Sequence, residues 1–147
     1  MKTIFSVFAI VISSFVFSQQ INWLSLEEAT QASKANPSKP ILVNLYTSWC
    51  GYCKKLDKET FVDAAITEYI NQNYIPVKFN AEDKNRVNFL GINYTFVNAV
   101  RANFLAYVLT NGRLSYPATV VLDNKGIAQK IILGYRSPKE FSQDIKI

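Results

Sequence analysis

The sequence of 147 residues contains no histidine, and this absence removes several kinds of catalytic and metal site. Without an imidazole the chain cannot build a Ser-His-Asp triad, a Cys-His nucleophile pair or a histidine-ligated metal site. Only two cysteines are present, so one chain cannot supply the four thiolates of a structural zinc site. We therefore expect neither a metal nor a cofactor.

The chain also has little excess charge. Its 16 Lys and Arg residues against 11 Asp and Glu residues give a net charge of +5. Removal of a leader that contains Lys2 lowers this to +4, from 15 basic minus 11 acidic residues. The lysines are scattered along the chain, which is typical of a solvated surface and disfavours nucleic acid or a membrane surface as a partner. The length and the 49% hydrophobic content indicate one domain, which we expect to be monomeric.

The first 18 residues have the composition of a secretory signal peptide. Lys2 precedes an apolar run from Ile4 to Phe17, and the small residue Ser18 marks the predicted cleavage site. The run is shorter than the roughly 20 residues that span a bilayer, which disfavours a retained anchor. We expect residues 19–147 to be exported as the mature domain, to the periplasm or the medium, where disulfides persist.

Two cysteines separated by two residues, Cys50 and Cys53, lie between an apolar run and a helical segment, Lys54 to Phe61. The start of a helix supplies unpaired N–H groups and a partial positive charge, which favour a thiolate and lower a cysteine pKa from about 8.5 by one to several units. The spacing predicts Cys50 as the exposed attacking sulfur and Cys53 as the resolving sulfur. The alternative is a structural disulfide, which would stabilise little because its loop is very short.

The remaining pattern predicts alternating strands and helices. Capping boxes at Ser25 and Ser137 indicate two helix starts, and Asp63 caps a third. Gly91 lies at the centre of a predicted hairpin, and Val100, Phe104, Tyr107 and Val108 define one face of a predicted helix over 99–109. The other predicted elements are strands at 21–23, 41–47, 74–80, 118–122 and 127–133, and helices at 25–35, 64–73 and 137 onward. This order predicts an α/β fold, a mixed sheet with helices on both faces.

Two stretches carry a resemblance to a known family. Residues 41–54, whose last six read W-C-G-Y-C-K, resemble the active-site strand and loop of the thioredoxin superfamily. Residues 116–119 are similar to its cis-proline loop, and Gly134 stands where the family has a glycine in its last strand. The resemblance covers most of residues 22–146. It implies a thioredoxin fold with a central mixed sheet and an insertion, residues 84–112, before the cis-proline strand.

The resemblance also implies roles for residues around the two cysteines. Pro117 would be cis, and the backbone of Tyr116 would then pair with an extended substrate segment. Trp49, Tyr52 and Tyr116 would form an apolar rim around Cys50, although core packing is an alternative for Trp49 and Tyr116. The dipeptide Gly51-Tyr52 between the cysteines stands where the family varies its sequence to set the redox potential, and Gly-Tyr is found in some disulfide isomerases.

One further position departs from the thioredoxin pattern. Asn44 stands where thioredoxins carry a buried aspartate behind the resolving cysteine, and an amide cannot act as a general base. Lys78 is similar in position to the lysine that accompanies that aspartate. Without the acid, Lys78 could act alone as a cation that stabilises a thiolate, or could simply extend its ammonium from a strand end into solvent.

The segment 58–63 and the insertion are similar to secreted bacterial thioredoxin-like proteins and to the C-terminal domain of the membrane thiol-disulfide interchange protein. This likeness implies a thiol-disulfide oxidoreductase that reduces protein disulfides in the cell envelope. Its partners would be disulfide-containing proteins and an upstream thiol donor, such as that membrane protein. Isomerisation, oxidation and a non-catalytic binding module on the same scaffold stay open as alternatives.

Overall fold

The computed structural model describes residues 20–146 of the chain. The predicted signal peptide, residues 1–18, lies outside the described residues, so its cleavage and the export of the domain stay predictions. Within residues 20–146 no helix combines the length and the apolar character that crossing a bilayer requires.

Helices and strands alternate along the described chain. In order they are α1 (Leu26–Ala35), β1 (Ile41–Tyr46), α2 (Gly51–Glu59), α3 (Ala64–Asn73), β2 (Ile75–Asn80), β3 (Val87–Phe89), β4 (Ile92–Tyr94), β5 (Phe96–Val97), β6 (Ala102–Asn103), α4 (Phe104–Leu109), β7 (Ala118–Leu122), β8 (Ala128–Leu133) and α5 (Pro138–Ile145).

The central sheet has four strands in the order β2-β1-β7-β8. Strands β1 and β2 are parallel, with Ile41 opposite Ile75 and Tyr46 opposite Asn80. Strand β7 runs antiparallel to β1 on its other side, and β8 runs antiparallel to β7. The mixed sheet predicted from the sequence is therefore confirmed.

Strand β1 is buried on both faces, as its unbroken apolar run predicts. Val43 and Leu45 point into the core beneath α1 and α4, and Leu42 points into the core beneath α2, α3 and α5. Each of these side chains has no exposed surface. Burial of an aliphatic side chain of this size contributes about 1.5–3 kcal/mol, so the two cores hold β1 firmly in place.

The predicted helix over 99–109 is wrong in its first half and in its buried face. Residues 96–103 form the two-stranded hairpin β5–β6, and α4 begins only at Phe104, after the N-cap Asn103. The helix buries Leu105, Ala106 and Leu109, whereas Phe104 and Val108 of the predicted apolar face are 41% and 42% exposed. The apolar residues of this segment lie on two faces of the helix, and both fit a helical pattern equally well. The face that packs against the sheet is not the predicted one.

Several element boundaries also differ from the sequence prediction. The helix after the cysteines begins at Gly51 and ends at Glu59, because Cys50 itself serves as the N-cap. Strand β1 ends at Tyr46, one residue earlier than predicted. The predicted first strand is wrong, because residues 21–23 form no strand and a single bridge joins the next residue, Leu24, to Val77. The capping box of Ser25 and the cap at Asp63 are confirmed by their hydrogen bonds.

Tyr74 links the end of α3 to the C-terminal helix. We expect its buried hydroxyl to make the protein less stable at high pH. Its hydroxyl donates to the carbonyl of Ile145, and burial raises its pKa from 10.0 to about 12. The folded state therefore holds this proton more tightly than the unfolded state, a contribution that is complete below pH 10 and is lost towards pH 12. The free energy of unfolding, measured in urea, should fall over this range.

Tyr74→Phe should flatten that fall and cost about 1 kcal/mol at neutral pH through the lost hydrogen bond. Tyr52→Phe is the matched control, since Tyr52 is 65% exposed, and it should leave the curve unchanged. Identical pH dependence in Tyr74→Phe and the parent protein would contradict this assignment.

Candidate active site

Cys50 and Cys53 form a disulfide in the structure, between the end of β1 and the first turn of α2. Their sulfurs lie 2.10 Å apart and their Cα atoms 5.3 Å apart. The predicted attacking and resolving sulfurs are thus close enough to bond with one another, which thiol-disulfide exchange requires.

The sulfur of Cys50 caps helix α2. Cys50 has extended backbone angles, and its Sγ accepts the N–H of Cys53 at 3.1 Å. Helices more often use Ser, Thr, Asp or Asn at this position. Here the unpaired N–H groups and the positive end of the helix dipole face a sulfur, and this environment favours the thiolate once the disulfide is reduced.

Both cysteines are buried, although their neighbours are not. Cys50 is 3% exposed and Cys53 is 4% exposed, whereas Trp49 and Tyr52 are 66% and 65% exposed. The expectation that Cys50 is exposed is therefore wrong for the oxidised protein, because the disulfide draws its sulfur against the helix start. A partner that approaches this end of the sheet therefore meets the exposed side chains of Trp49 and Tyr52.

The peptide bond between Tyr116 and Pro117 is cis, as the resemblance implied. Pro117 directly precedes β7, which pairs with the strand that ends at the cysteines. Its carbonyl accepts the N–H of Gly134 at 2.7 Å, and Gly134 has a φ of 83°, a conformation that glycine adopts without strain. This hydrogen bond fixes the cis-proline loop to the end of β8.

Trp49 and Tyr116 come together on one side of the site. Their rings are 6.2 Å apart, edge to face, and Trp49 Nε1 donates to Glu82 Oε1 at 3.0 Å. Burial, followed by the negative charge of Glu82, raises the pKa of Tyr116 to about 12. Its phenol therefore keeps its proton at neutral pH, and this part of the rim is uncharged apart from Glu82.

Tyr52 has a different aromatic neighbour, Tyr135, whose ring lies 6.4 Å away. The hydroxyl of Tyr135 donates to Glu59 Oε2 at 2.6 Å, and this bond raises the Tyr135 pKa. Lys55 Nζ lies 4.6 Å from the centre of the same ring. The predicted rim of three aromatic residues is therefore a rim of four, in two pairs.

Asn44, Lys78 and Thr119 lie side by side across the sheet, on three adjacent strands. Asn44 is 1% exposed and its amide donates to Thr119 Oγ1 at 3.4 Å. Lys78 does not act alone, because its Nζ lies 2.6 Å from Asp57 Oδ1 on α2. The expectation of an unpaired cation is wrong, and an influence of Lys78 or Asn44 on the thiol pKa stays a prediction.

Sequence reasoning missed three residues of this region: Glu82, Asp57 and Tyr135. Glu82 follows β2 and Trp49 follows β1. Because parallel strands end at the same edge of a sheet, the predicted topology could have indicated that these two residues are close. Asp57 lies one helical turn after Cys53, which marked it as a residue of the same face. Tyr135 follows Gly134 and had no comparable signal.

The comparisons with known proteins agree with this geometry. A profile of the thioredoxin-like domain family matches residues 26–146, so the chain belongs to that family. The "Thioredoxin-like protein YneN" of Bacillus subtilis (strain 168) is 25% identical over 118 residues, which are 74% of this chain and 65% of that protein. A Caenorhabditis elegans protein is 28% identical over 97 residues, 65% of this chain, and this match spans only 11% of the worm protein.

Solved structures show the same fold at low identity. The "DsbH Oxidoreductase" aligns with a TM-score of 0.65 at 16% identity, over 96% of this chain and 92% of that one. The oxidised "DsbD c-terminal domain" of Neisseria meningitidis aligns with a TM-score of 0.54 at 17% identity, over 80% and 90%. The thioredoxin fold and the C-x-x-C disulfide together define the site of a thiol-disulfide oxidoreductase.

Asn44→Asp should change the pH dependence of the reducing step. A carboxylate at this buried position would have a raised pKa and could accept a proton when the second cysteine attacks. The rate of a single turnover should then acquire a new inflection between about pH 6 and 9, where a thiol titrates. Thr119→Val is the control, because it removes the partner of Asn44 without adding an acid. The same profile in all three proteins would remove Asn44 from the mechanism.

Proposed function

We propose that the protein is a thiol-disulfide reductase of the cell envelope. The observation that carries the proposal is the disulfide of Cys50 and Cys53 with the Cys50 sulfur at the N-cap of α2. A disulfide sulfur carries no charge and gains little from the positive end of a helix, whereas a nucleophilic thiolate is stabilised there. A bridge over two residues would also contribute little to stability.

The reaction consumes the reduced form of the protein. The Cys50 thiolate attacks one sulfur of a substrate disulfide and forms a mixed disulfide with it. The substrate's own sulfur–sulfur bond breaks, and the other substrate sulfur departs as a thiolate that takes a proton from solvent. The Cys53 thiolate then attacks the Cys50 sulfur and releases the second substrate thiol. Two electrons pass to the substrate, and the protein ends in the disulfide form that the structure contains. An upstream dithiol donor must return the two electrons and two protons.

Recognition of the substrate falls to the rim and to the cis-proline loop. Trp49 and Tyr52 present most of their surface to solvent, and Tyr116 lies against Trp49. The loop at Pro117 precedes β7, and its Tyr116 contacts Trp49, the residue before Cys50. An extended segment with a disulfide would pack its side chains on these rings and pair its backbone with Tyr116.

Different observations support the proposed location and the proposed electron donor. The predicted signal peptide supports export, and a compartment outside the cytoplasm keeps disulfides available as substrates. The "DsbD c-terminal domain" has the same fold, and we propose a dithiol protein, such as a membrane thiol-disulfide interchange protein, as the source of electrons. The chain spans 65% of the B. subtilis relative, so the activity of that whole protein is not transferred.

Cys53→Ser should trap the protein on its substrates. The variant keeps the attacking sulfur and loses the resolving one, so mixed disulfides should accumulate and be visible as slow bands on non-reducing gels. The parent protein should also reduce insulin in the presence of dithiothreitol. The double variant Cys50→Ser/Cys53→Ser is the control and should form no adducts. Absence of both adducts and insulin reduction would leave a binding module as the better interpretation.

The direction of electron flow is tested by the reduction potential of the Cys50–Cys53 pair. A reductase should lie near the thioredoxin value of about −270 mV, because its dithiol must be a good donor. The measurement is equilibration against glutathione buffers followed by thiol labelling. A value near about −120 mV, typical of a strong oxidant, would assign the protein to oxidation or isomerisation instead.

A further inference from the structure

The net charge of the predicted mature chain lies in one segment. Residues 84–113 contain four basic residues, Lys84, Arg86, Arg101 and Arg113, and no Asp or Glu. The rest of residues 19–147 contains 11 basic and 11 acidic residues, so the whole excess of +4 belongs to this segment. All four side chains are exposed, and none of them forms an ion pair within residues 20–146.

Exposed apolar side chains lie in the same segment. Phe104 and Val108 are 41% and 42% exposed, and the ring of Tyr107 stacks on that of Phe104 at 5.5 Å. Lys84 Nζ lies 5.8 Å from the ring of Phe96, whose strand pairs with the one that leads into α4. We call the four basic residues together with Phe104, Tyr107 and Val108 the insertion surface.

The insertion surface is anchored next to the active-site rim. Asn103, which directly precedes Phe104, is fully buried, and its amide donates to the carbonyls of Asp83 and Asn85 at 3.2 Å each. The residue before Asp83 is Glu82, which accepts the indole N–H of Trp49. The insertion surface therefore begins at Lys84, two residues after the carboxylate that binds Trp49, the neighbour of Cys50 in the chain.

We propose that the insertion surface is a docking site for the disulfide-containing protein partner, through an acidic segment with an apolar side chain next to its reactive cysteines. This assignment rests on the proposed function and names the class of substrate. Aspartate and glutamate side chains complement the four cations and steer association, while the apolar residue packs on the stacked rings. The disulfide is then delivered to the rim at a raised local concentration.

A second copy of the chain and an anionic membrane are the alternative partners of the insertion surface, and both are less suitable. A second copy bound through the same face would place four cations opposite four cations, which disfavours a symmetric dimer. An anionic bilayer matches the charge, but it offers no disulfide to a rim that adjoins the same surface. A protein partner satisfies both neighbouring sites at once.

The test compares two synthetic peptides with one identical disulfide loop and one leucine, and with either a glutamate-rich or a lysine-rich tail. Dithiodiethanol, a small neutral disulfide, reports the reactivity of the dithiol alone. The reduced full-length protein should react about tenfold faster with the acidic peptide than with the basic one, the size of effect that a few exposed ion pairs produce. Added salt should reduce that preference.

Charge reversal of three cations, Lys84→Glu/Arg86→Glu/Arg113→Glu, should invert the preference and leave the rate with dithiodiethanol unchanged. The matched control, Lys34→Glu/Lys125→Glu/Lys139→Glu, makes the same change in net charge at exposed lysines elsewhere and should keep the preference. Phe104→Ser/Val108→Ser should slow the reaction with the acidic peptide and leave the rate with dithiodiethanol unchanged. Circular dichroism confirms that each variant is folded.

The outcomes separate the two proposals. Equal rates with both peptides, together with a normal rate with dithiodiethanol, would overturn the docking site and keep the reductase. No reaction with any disulfide, together with binding of a cysteine-free acidic peptide that the charge reversal abolishes, would overturn the reductase alone. Charge-dependent sedimentation with phosphatidylglycerol-containing vesicles, without a peptide preference, would assign the surface to a membrane and overturn the protein partner.

Discussion

The hydrogen bond from the Cys53 N–H to the Cys50 sulfur is the interaction on which the site depends. It exists because β1, fixed by apolar residues on both faces, ends where α2 begins. A sulfur at that junction takes the place of the oxygen that normally caps a helix, so one residue both starts the helix and carries the reactive atom. The cis-proline loop reaches the same edge because β7 pairs with β1.

This arrangement separates reactivity from recognition. The sulfurs are almost fully buried in the disulfide, while Trp49 and Tyr52 next to them are exposed. A protein partner that packs on these exposed rings makes contacts that a small thiol or a small disulfide cannot make. Selectivity thus arises before any bond between sulfur atoms is broken, in the contacts with the rings.

The sequence supported those parts of the fold that depend on local signals. The capping residues Ser25 and Asp63 located helix starts, and the apolar run located β1, because each signal acts within a few residues. The pairing of Lys78 with Asp57 was missed because it joins residues 21 positions apart on different elements. The helix α4 was misplaced because the segment has apolar residues on two faces, and only packing against the sheet decides between them.

The distribution of ion pairs distinguishes a structural charge from one available for binding. Lys78 and Arg136 are held by Asp57 and Asp144, and the side chains of Lys78 and Asp57 are 25% and 38% exposed, so these cations connect elements of the fold. The four cations of the insertion surface are exposed and form no ion pair within residues 20–146, and Lys84 contacts the ring of Phe96. Their removal should therefore cost the fold little, since exposed charges contribute little to stability. An acidic partner would offset the mutual repulsion of these like charges, and this is the physical reason that the surface suits such a partner.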